Sequence, residues 1–296
     1  MERKEQVDTL GASLLIGFSA LLGLNQALVK LVNDGFSPLF QSGLRSLAAL
    51  PLVLLFAILM KRKLSVTDGS LPWGMLNGVF FCLEFGLLFV ALDYTTVARV
   101  SLFFYIMPVW VAIGAHFLIP EEPLNRNKLM GLTTALVGVV IALSTDLGHA
   151  PANAWVGDLL ALTGGFFWAC IALLTRIKLS RSSSEMNLLY QLFVSAIVLC
   201  AVAPFVGPII REPTAMIYSV FAFQVVAIAA FGFLAWYWLL SIYPVSNMTS
   251  FGLLSPIFGV FFGWLIFDDD LTLGFVAAML TVGGGIVLVN KRIAPT

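Results

Sequence analysis

Residues 91–108 read ALDYTTVARVSLFFYIMP, and residues 239–256 read LLSIYPVSNMTSFGLLSP. The two stretches share few identities, but their patterns match. Each opens on a Leu-containing apolar pair and carries a hydroxyl residue at the same place, Ser101 or Thr249. Each closes on a proline inside an apolar run, Pro108 or Pro256. The second begins 148 residues after the first, and neither holds a catalytic cluster. A pattern written twice in one chain points to a duplicated structural unit.

Composition says what kind of unit it is. Hydrophobic residues make up 60% of the chain and charged residues 11%, with a mean hydropathy of +0.99. Average soluble domains are about half apolar and about a quarter charged, so a compact soluble fold has nowhere to bury this much Phe, Leu and Val. The solvent implied is a bilayer. A membrane-spanning helix needs about 20 mostly apolar residues, and ten such runs follow one another: 10–32, 37–60, 72–92, 97–118, 128–145, 155–177, 186–207, 216–240, 245–267 and 271–289. Only short connectors remain between them. Barrel strands would be shorter and alternating, so the expected fold is an all-α membrane protein of ten transmembrane helices. The apolar run behind the charged start MERKEQVDTLG is too long for a signal-peptide core and reads as the first span.

Positive residues set the orientation. With the N-terminus in the cytoplasm, Arg3, Lys4, Lys61, Arg62, Lys63, Arg126, Lys128, Arg176, Lys178, Arg181, Lys291 and Arg292 fall on that side. The other side holds only Lys30, Arg99 and Arg211, together with Asp34, Asp93, Asp146, Glu212 and Asp268-Asp269-Asp270. Both termini are therefore expected in the cytoplasm.

The spans divide into two blocks of five, residues 1–150 and 151–296. Lys30 aligns with Arg176, and Gln41 and Arg45 align with Asn187 and Gln191, all at an offset of 146. Pro108 answers Pro256. Because five is odd, the second block must cross the membrane in the opposite sense, which makes two inverted five-helix repeats. Such folds exchange inward- and outward-facing shapes and hold substrate near the midplane, where the repeats meet.

The arrangement A-L-x(5)-A-x-x-S…P at 91–108, followed by IPEEPLN at 119–125 and a Gly-rich closing span, resembles the EamA repeat of the drug/metabolite transporter superfamily. The resemblance covers nearly the whole chain. The second copy departs from it, with Ser246 in place of the Ala and Asp268-Asp269-Asp270 in place of the acidic loop pair. Within the family, GGFFWACIALLTR at 164–176, CLEFGLLFVAL at 82–92 and FYIMP at 104–108 are most similar to bacterial aromatic amino acid exporters. The resemblance implies a multi-pass protein of the bacterial inner membrane that exports amino acids, aromatic ones foremost.

Among candidate site residues Glu84 stands out, since an ionisable side chain inside a span is costly unless it lines a cavity or finds a partner. It is placed to bind an ammonium or exchange a proton, or, structurally, to sit protonated against a neighbouring helix. Helical spacing puts Asn77 and Phe80 or Phe81 on its face, and Leu83 stands beside it. Arg45 can clamp a carboxylate through its fork, although helix packing is the default for such a residue. Asn187, Gln191 and Ser195 form a polar stripe for which interhelical hydrogen bonding is the default. Tyr105, Trp168, Trp236 and Tyr237 lie deep in spans and need partners for their polar tips, which a wet cavity offers; Trp155 and Tyr218 sit at span ends, as belt residues do. Met107 accompanies Tyr105 at the FYIMP turn. Pro108 and Pro256 are expected to kink their spans, because proline frees the carbonyl four residues back, that of Phe104 or Gly252.

Other chemistries find no support in these residues. Cys82, Cys170 and Cys200 lie in apolar runs without metal-ligand spacing, and His116 and His149 are isolated, so no metal or cofactor is expected. The Gly pairs and triplets do not follow strands, so a phosphate loop is not expected, nor is nucleic acid or an obligate protein partner. An intramembrane enzyme would need paired groups at depth, which Glu84 lacks. A multidrug exporter of organic cations is the alternative, because an aromatic cavity with one carboxylate suits a cation.

Overall fold

The computed structural model describes residues 4–143, 153–267 and 273–290, and it is helical throughout, with no strand among the described residues. Six helices are long and apolar enough to cross a membrane. They are α1 (Thr9–Asn33), α2 (Pro38–Leu59), α3 (Leu71–Tyr94), α7 (Ala154–Lys178), α8 (Ser184–Val206) and the run Ala215–Ile242. Polar capping residues start several of them. The Asp8 carboxylate accepts the Gly11 N–H at 2.8 Å ahead of α1, and the Ser183 hydroxyl accepts the Met186 N–H at 3.2 Å ahead of α8. Each satisfies a first-turn donor that has no partner within its own helix. Prolines occupy the first turns of α2 and α3, where no N–H is missed.

The other four expected spans are shorter or interrupted, for reasons local to their sequences. The run 97–118 is two helices, α4 (Val97–Phe104) and α5 (Met107–Leu118). Pro108 has no N–H for the Phe104 carbonyl, and the chain leaves the helix at Tyr105, with φ −80° and ψ 14°. The run 245–267 divides likewise into α11 (Val245–Ser250), a 3-10 turn (Phe251–Leu254) and α12 (Ser255–Phe267), which carries Pro256 at its second position. Helix α6 (Arg126–Leu143) begins on polar residues, and α13 spans Leu273–Asn290. The run Ala215–Ile242 is itself mixed. It comprises α9 (Ala215–Phe223), a π-helical stretch over Gln224–Gly232 and α10 (Phe233–Ile242). Nothing in the sequence announced that widening. Asp268-Asp269-Asp270 and His149 lie outside the described residues.

Helix α2 packs on α8, α6 on α13, α7 on α3, α4 and α5, and α1 on the 3-10 turn and α12. Large apolar side chains such as Leu55, Leu59, Phe117 and Phe205 remain exposed, as expected of surfaces that meet lipid rather than water. The polar connections gather at two ends. At one, Lys4 N–H donates to the Ile242 carbonyl at 2.9 Å, and Arg62 pairs with Glu185 at 3.0 Å. At the other, Arg211 pairs with Asp93 at 2.6 Å, Lys30 donates to the Thr95 carbonyl at 2.9 Å, and Arg99 pairs with Asp158.

Candidate functional site

Halfway along α3 the apolar sequence is interrupted by Glu84, which is buried at 3% exposure. It faces a closed pocket of about 20 Å³ lined by Asn25 and Gln26 of α1, Phe85 and Leu88 of α3, and Phe104, Tyr105, Trp168 and Phe233. That volume holds about one water molecule, so the structure is closed around the site. Glu84 makes no hydrogen bond among the described residues; the charge acting on it is that of Arg45.

The wall beside Glu84 is aromatic. Trp168 stacks on Phe104 with centroids 5.3 Å apart and meets Tyr105 edge-on at 6.0 Å. Trp236 extends the wall, 5.7 Å from Trp168 and stacked on Phe18 at 5.2 Å. Offset and edge-to-face pairs of this kind contribute about 0.5–1.5 kcal/mol beyond their buried area. The wall stands where it does because α4 stops there: the broken turn carries Phe104 and Tyr105 inward. Helix α7 approaches that turn so closely that a Cβ on Gly165 would collide with the Phe104 carbonyl oxygen. At the second break, Ser19 donates to the Phe251 carbonyl at 2.8 Å. Each break thus presses against a small residue on another helix.

The expected site residues separate into groups. Glu84, Tyr105, Trp168 and Trp236 come together, with Met107 fully buried next to Tyr105 where both approach Gly252. Pro108 and Pro256 stand at the two breaks. Asn77 and Tyr237 do not line this pocket; they belong to a polar cluster on its Arg62–Glu185 side, where Tyr237 still feels the charge of Glu84. Asn77 Nδ2 donates to Thr175 Oγ1 at 3.2 Å, and the Tyr237 hydroxyl neighbours Asn77, Thr175 and Gln191. Two further expected residues, Leu83 and Phe80, do not line this pocket. Leu83 is 38% exposed, turned away from the bundle, because its position next to Glu84 places it about 100° around the helix. Phe80 packs against Phe167, 5.8 Å between centroids, and Phe81 takes the inward position instead, against Phe85 and Phe233.

Sequence reasoning missed Asn25, Gln26, Phe85, Phe104 and Phe233. A signal existed for the first two, since consecutive amides in the middle of span one are as unusual there as Glu84 is in span three. The Asn25 Oδ1 and Gln26 Nε2 atoms are buried without hydrogen-bond partners, although Gln26 Oε1 accepts the Ser101 hydroxyl. Two larger hollows, about 700 and 790 Å³, open among the loops around Lys63, Ser180 and Ser182 and include none of the expected site residues. No group of three or more metal-binding side chains occurs among the described residues.

Known proteins place this architecture. The chain is 23% identical over 278 residues to an uncharacterized transporter, YoaV, of Bacillus subtilis (strain 168), covering 93% of this chain and 94% of that one. It is 25% identical over 284 residues to a probable amino-acid metabolite efflux pump of Escherichia coli (strain K12), covering 88% of this chain and 89% of the other. A solved crystal structure superposes with a TM-score of 0.78 at 18% identity, over 93% of this chain and 97% of its own; at that identity the likeness is one of fold. The family model of EamA-like transporters matches twice, over residues 9–144 and 155–291. The chain belongs to the EamA-like transporter family and is a membrane transporter.

Proposed function

We propose that the protein exports amino acids, aromatic ones foremost, by alternating access across the bacterial inner membrane. The observation that carries this reading is the pocket at the α4–α5 break, where a buried carboxylate faces the rings of Phe104, Tyr105 and Trp168. Glu84 and the Asn25 carbonyl oxygen supply acceptors for an α-ammonium, and the rings supply a wall for a flat apolar side chain. The Escherichia coli relative's printed name, an amino-acid metabolite efflux pump, favours the same substrate class and direction.

In this reading ten spans form two inverted five-helix repeats, residues 1–150 and 151–296, with both termini cytoplasmic. The packing supports it. Helices α2 and α8 hold equivalent places in the two halves and pack on each other, as do α6 and α13. Helix α7 against the first break is mirrored by α1 against the second. Ser19 and Gly165, which touch the Phe251 and Phe104 carbonyls, stand at the offset of 146 residues that relates the halves. A site between two such units opens to one side or the other as they rock.

The test is uptake into reconstituted vesicles from a panel of labelled Phe, Trp, Met, Thr, an organic cation and a sugar phosphate. Phe and Trp are expected to move fastest, Met and Thr more slowly, with a spread of about ten- to a hundredfold, and the sugar phosphate not at all. Transport of the organic cation without any amino acid overturns the substrate assignment. For orientation, single cysteines at Lys61 and Arg181 should be shielded from an impermeant thiol reagent in intact cells, whereas one at Asp34 should react; labelling at Lys61 contradicts the sidedness.

A further inference from the structure

Arg45 lies on α2 at 1% exposure, and its Nε, Nη1 and Nη2 atoms are all buried without a hydrogen-bond partner. A guanidinium carries five N–H donors, and leaving them unmet inside a protein is costly. An arginine serving only to hold helices together would spend those donors on carbonyls or a carboxylate. Donors elsewhere on α2 do so, Gln41 Nε2 to Gln224 Oε1 at 3.3 Å and Ser46 Oγ to the Ser42 carbonyl at 3.0 Å, although the Ser42 hydroxyl, like Arg45, has no hydrogen-bond partner. Arg45 instead rests over the rings of Phe85 and Phe89, 4.6 and 4.7 Å from their centroids. Phe85 is part of the pocket wall. Glu84, the residue before Phe85, is the opposite charge that acts on Arg45.

We infer that Arg45 is the carboxylate-recognising residue of the transport site, which makes the substrate class zwitterionic: the guanidinium takes an α-carboxylate while Glu84 takes the α-ammonium. The inference rests on the transport site proposed above and narrows its ligand. Charge balance decides between candidates. With Glu84 ionised, Arg45 and Glu84 sum to zero, and a zwitterion compensates each of them. An organic cation pairs with Glu84 but leaves Arg45 desolvated beside a second positive charge, and a simple carboxylate leaves Glu84 in the converse position. The ammonium and carboxylate of an amino acid branch from one carbon, and Arg45, which does not itself line the pocket, stacks on Phe85, the residue after Glu84 and part of the pocket wall. The unmet Gln26 Nε2 donor and Asn25 Oδ1 acceptor of the pocket add one contact of each kind. Bidentate, charge-assisted bonding by a planar fork also separates Arg from Lys at this position.

The experiment is competition against labelled Trp uptake in vesicles containing the full chain. The competitors are unlabelled Trp, tryptamine, which lacks the carboxylate, and indole-3-propionate, which lacks the ammonium. On the parent both truncated compounds should compete at least roughly 30-fold more weakly than Trp. In Arg45→Gln the advantage of Trp over tryptamine should shrink to within about threefold, tryptamine itself keeping or gaining potency as the neighbouring positive charge is removed; Arg45→Lys should fall between. Equal competition by Trp and tryptamine on the parent, or an unchanged ratio in Arg45→Gln, overturns the inference while leaving aromatic transport standing. Should Arg45→Gln not fold, Arg45→Lys decides: an unchanged Trp-to-tryptamine ratio there overturns the role of Arg45. If the parent moves Met but no aromatic amino acid, and prefers Met over its decarboxylated amine, the aromatic assignment fails and the role of Arg45 stands. If it moves only organic cations, both fall.

Discussion

Two buried glutamates, Glu122 and Glu84, have the same exposure of 3% and very different surroundings. Glu122, in the loop after α5, accepts the N–H groups of Val245 and Ser246 at 3.0 and 2.9 Å and the Ser246 hydroxyl at 2.6 Å. Arg176 stands 3.4 Å away, and Lys128 donates to the same Ser246 hydroxyl at 3.0 Å. Its oxygens are met by backbone, hydroxyl and cation together, and it ties the α5–α6 loop to the start of α11 and to the end of α7. Among the described residues the Glu84 carboxyl has no charged or hydrogen-bonding partner of that kind acting on it except Arg45, whose guanidinium nitrogens have no hydrogen-bond partner themselves. A buried charge whose partners are complete serves the fold; one left incomplete in a closed pocket is available to something that arrives.

That contrast can be broken most readily at Glu122. Glu122→Gln removes the negative charge that pairs with Arg176 and weakens the cap on α11, and removing one partner of a buried pair typically costs about 3–5 kcal/mol. Thermal unfolding in detergent should fall accordingly, and a cysteine at Ser241, near the same end, should become more reactive. A variant as stable as the parent means that the latch adds nothing to the fold. A smaller effect is expected at the aromatic wall. Trp168→Ala and Tyr105→Ala should each lower Trp transport about tenfold more than Thr transport, the scale of one lost ring contact. Equal losses for both substrates show that the rings only pack helices.

The smallest effect concerns Asp8 ahead of α1, outside the spans. Lys4, the Tyr243 hydroxyl and the Gly11 N–H all donate to its carboxylate, in that order of importance, and hold its pKa below the usual carboxylate range. A depressed folded-state pKa stabilises the fold above the unfolded value, near 4, and the contribution disappears as pH falls through the folded value. Asp8→Asn should therefore melt slightly below the parent at neutral pH, with the gap narrowing as the buffer is taken well below pH 4. A gap independent of pH assigns the effect to packing instead.

How much of this was legible depended on what each residue must do alone and what its neighbours decide. The long helices were legible because uninterrupted apolar runs leave the backbone no other arrangement in lipid. The breaks at Tyr105 and Phe251 were legible from Pro108 and Pro256, each of which frees a carbonyl, although Pro51 and Pro204 lie inside unbroken helices and show that surroundings also decide. Glu84 was visible by being ionisable at depth. Which of Phe80 and Phe81 turns inward was not legible, because the helical period admits both and the positions of α7 and α10 settle it. The π-helical stretch at Gln224–Gly232 carries no sequence signature, and the bond that Gln41 Nε2 donates to Gln224 Oε1 joins residues far apart in the chain. Arg45 read as a packing residue until its surroundings showed rings instead of acceptors.

The central claim is that the incompletely paired carboxylate works in transport whereas the completed one holds the fold. Glu84→Gln tests it most directly, with labelled Trp transport and thermal unfolding measured on the same preparation across a pH series. The account predicts that transport falls more than about tenfold and changes its pH dependence, while the melting temperature stays close to the parent's. Transport and pH profile matching the parent's, or a loss of transport accompanied by an equal loss of stability, contradicts it.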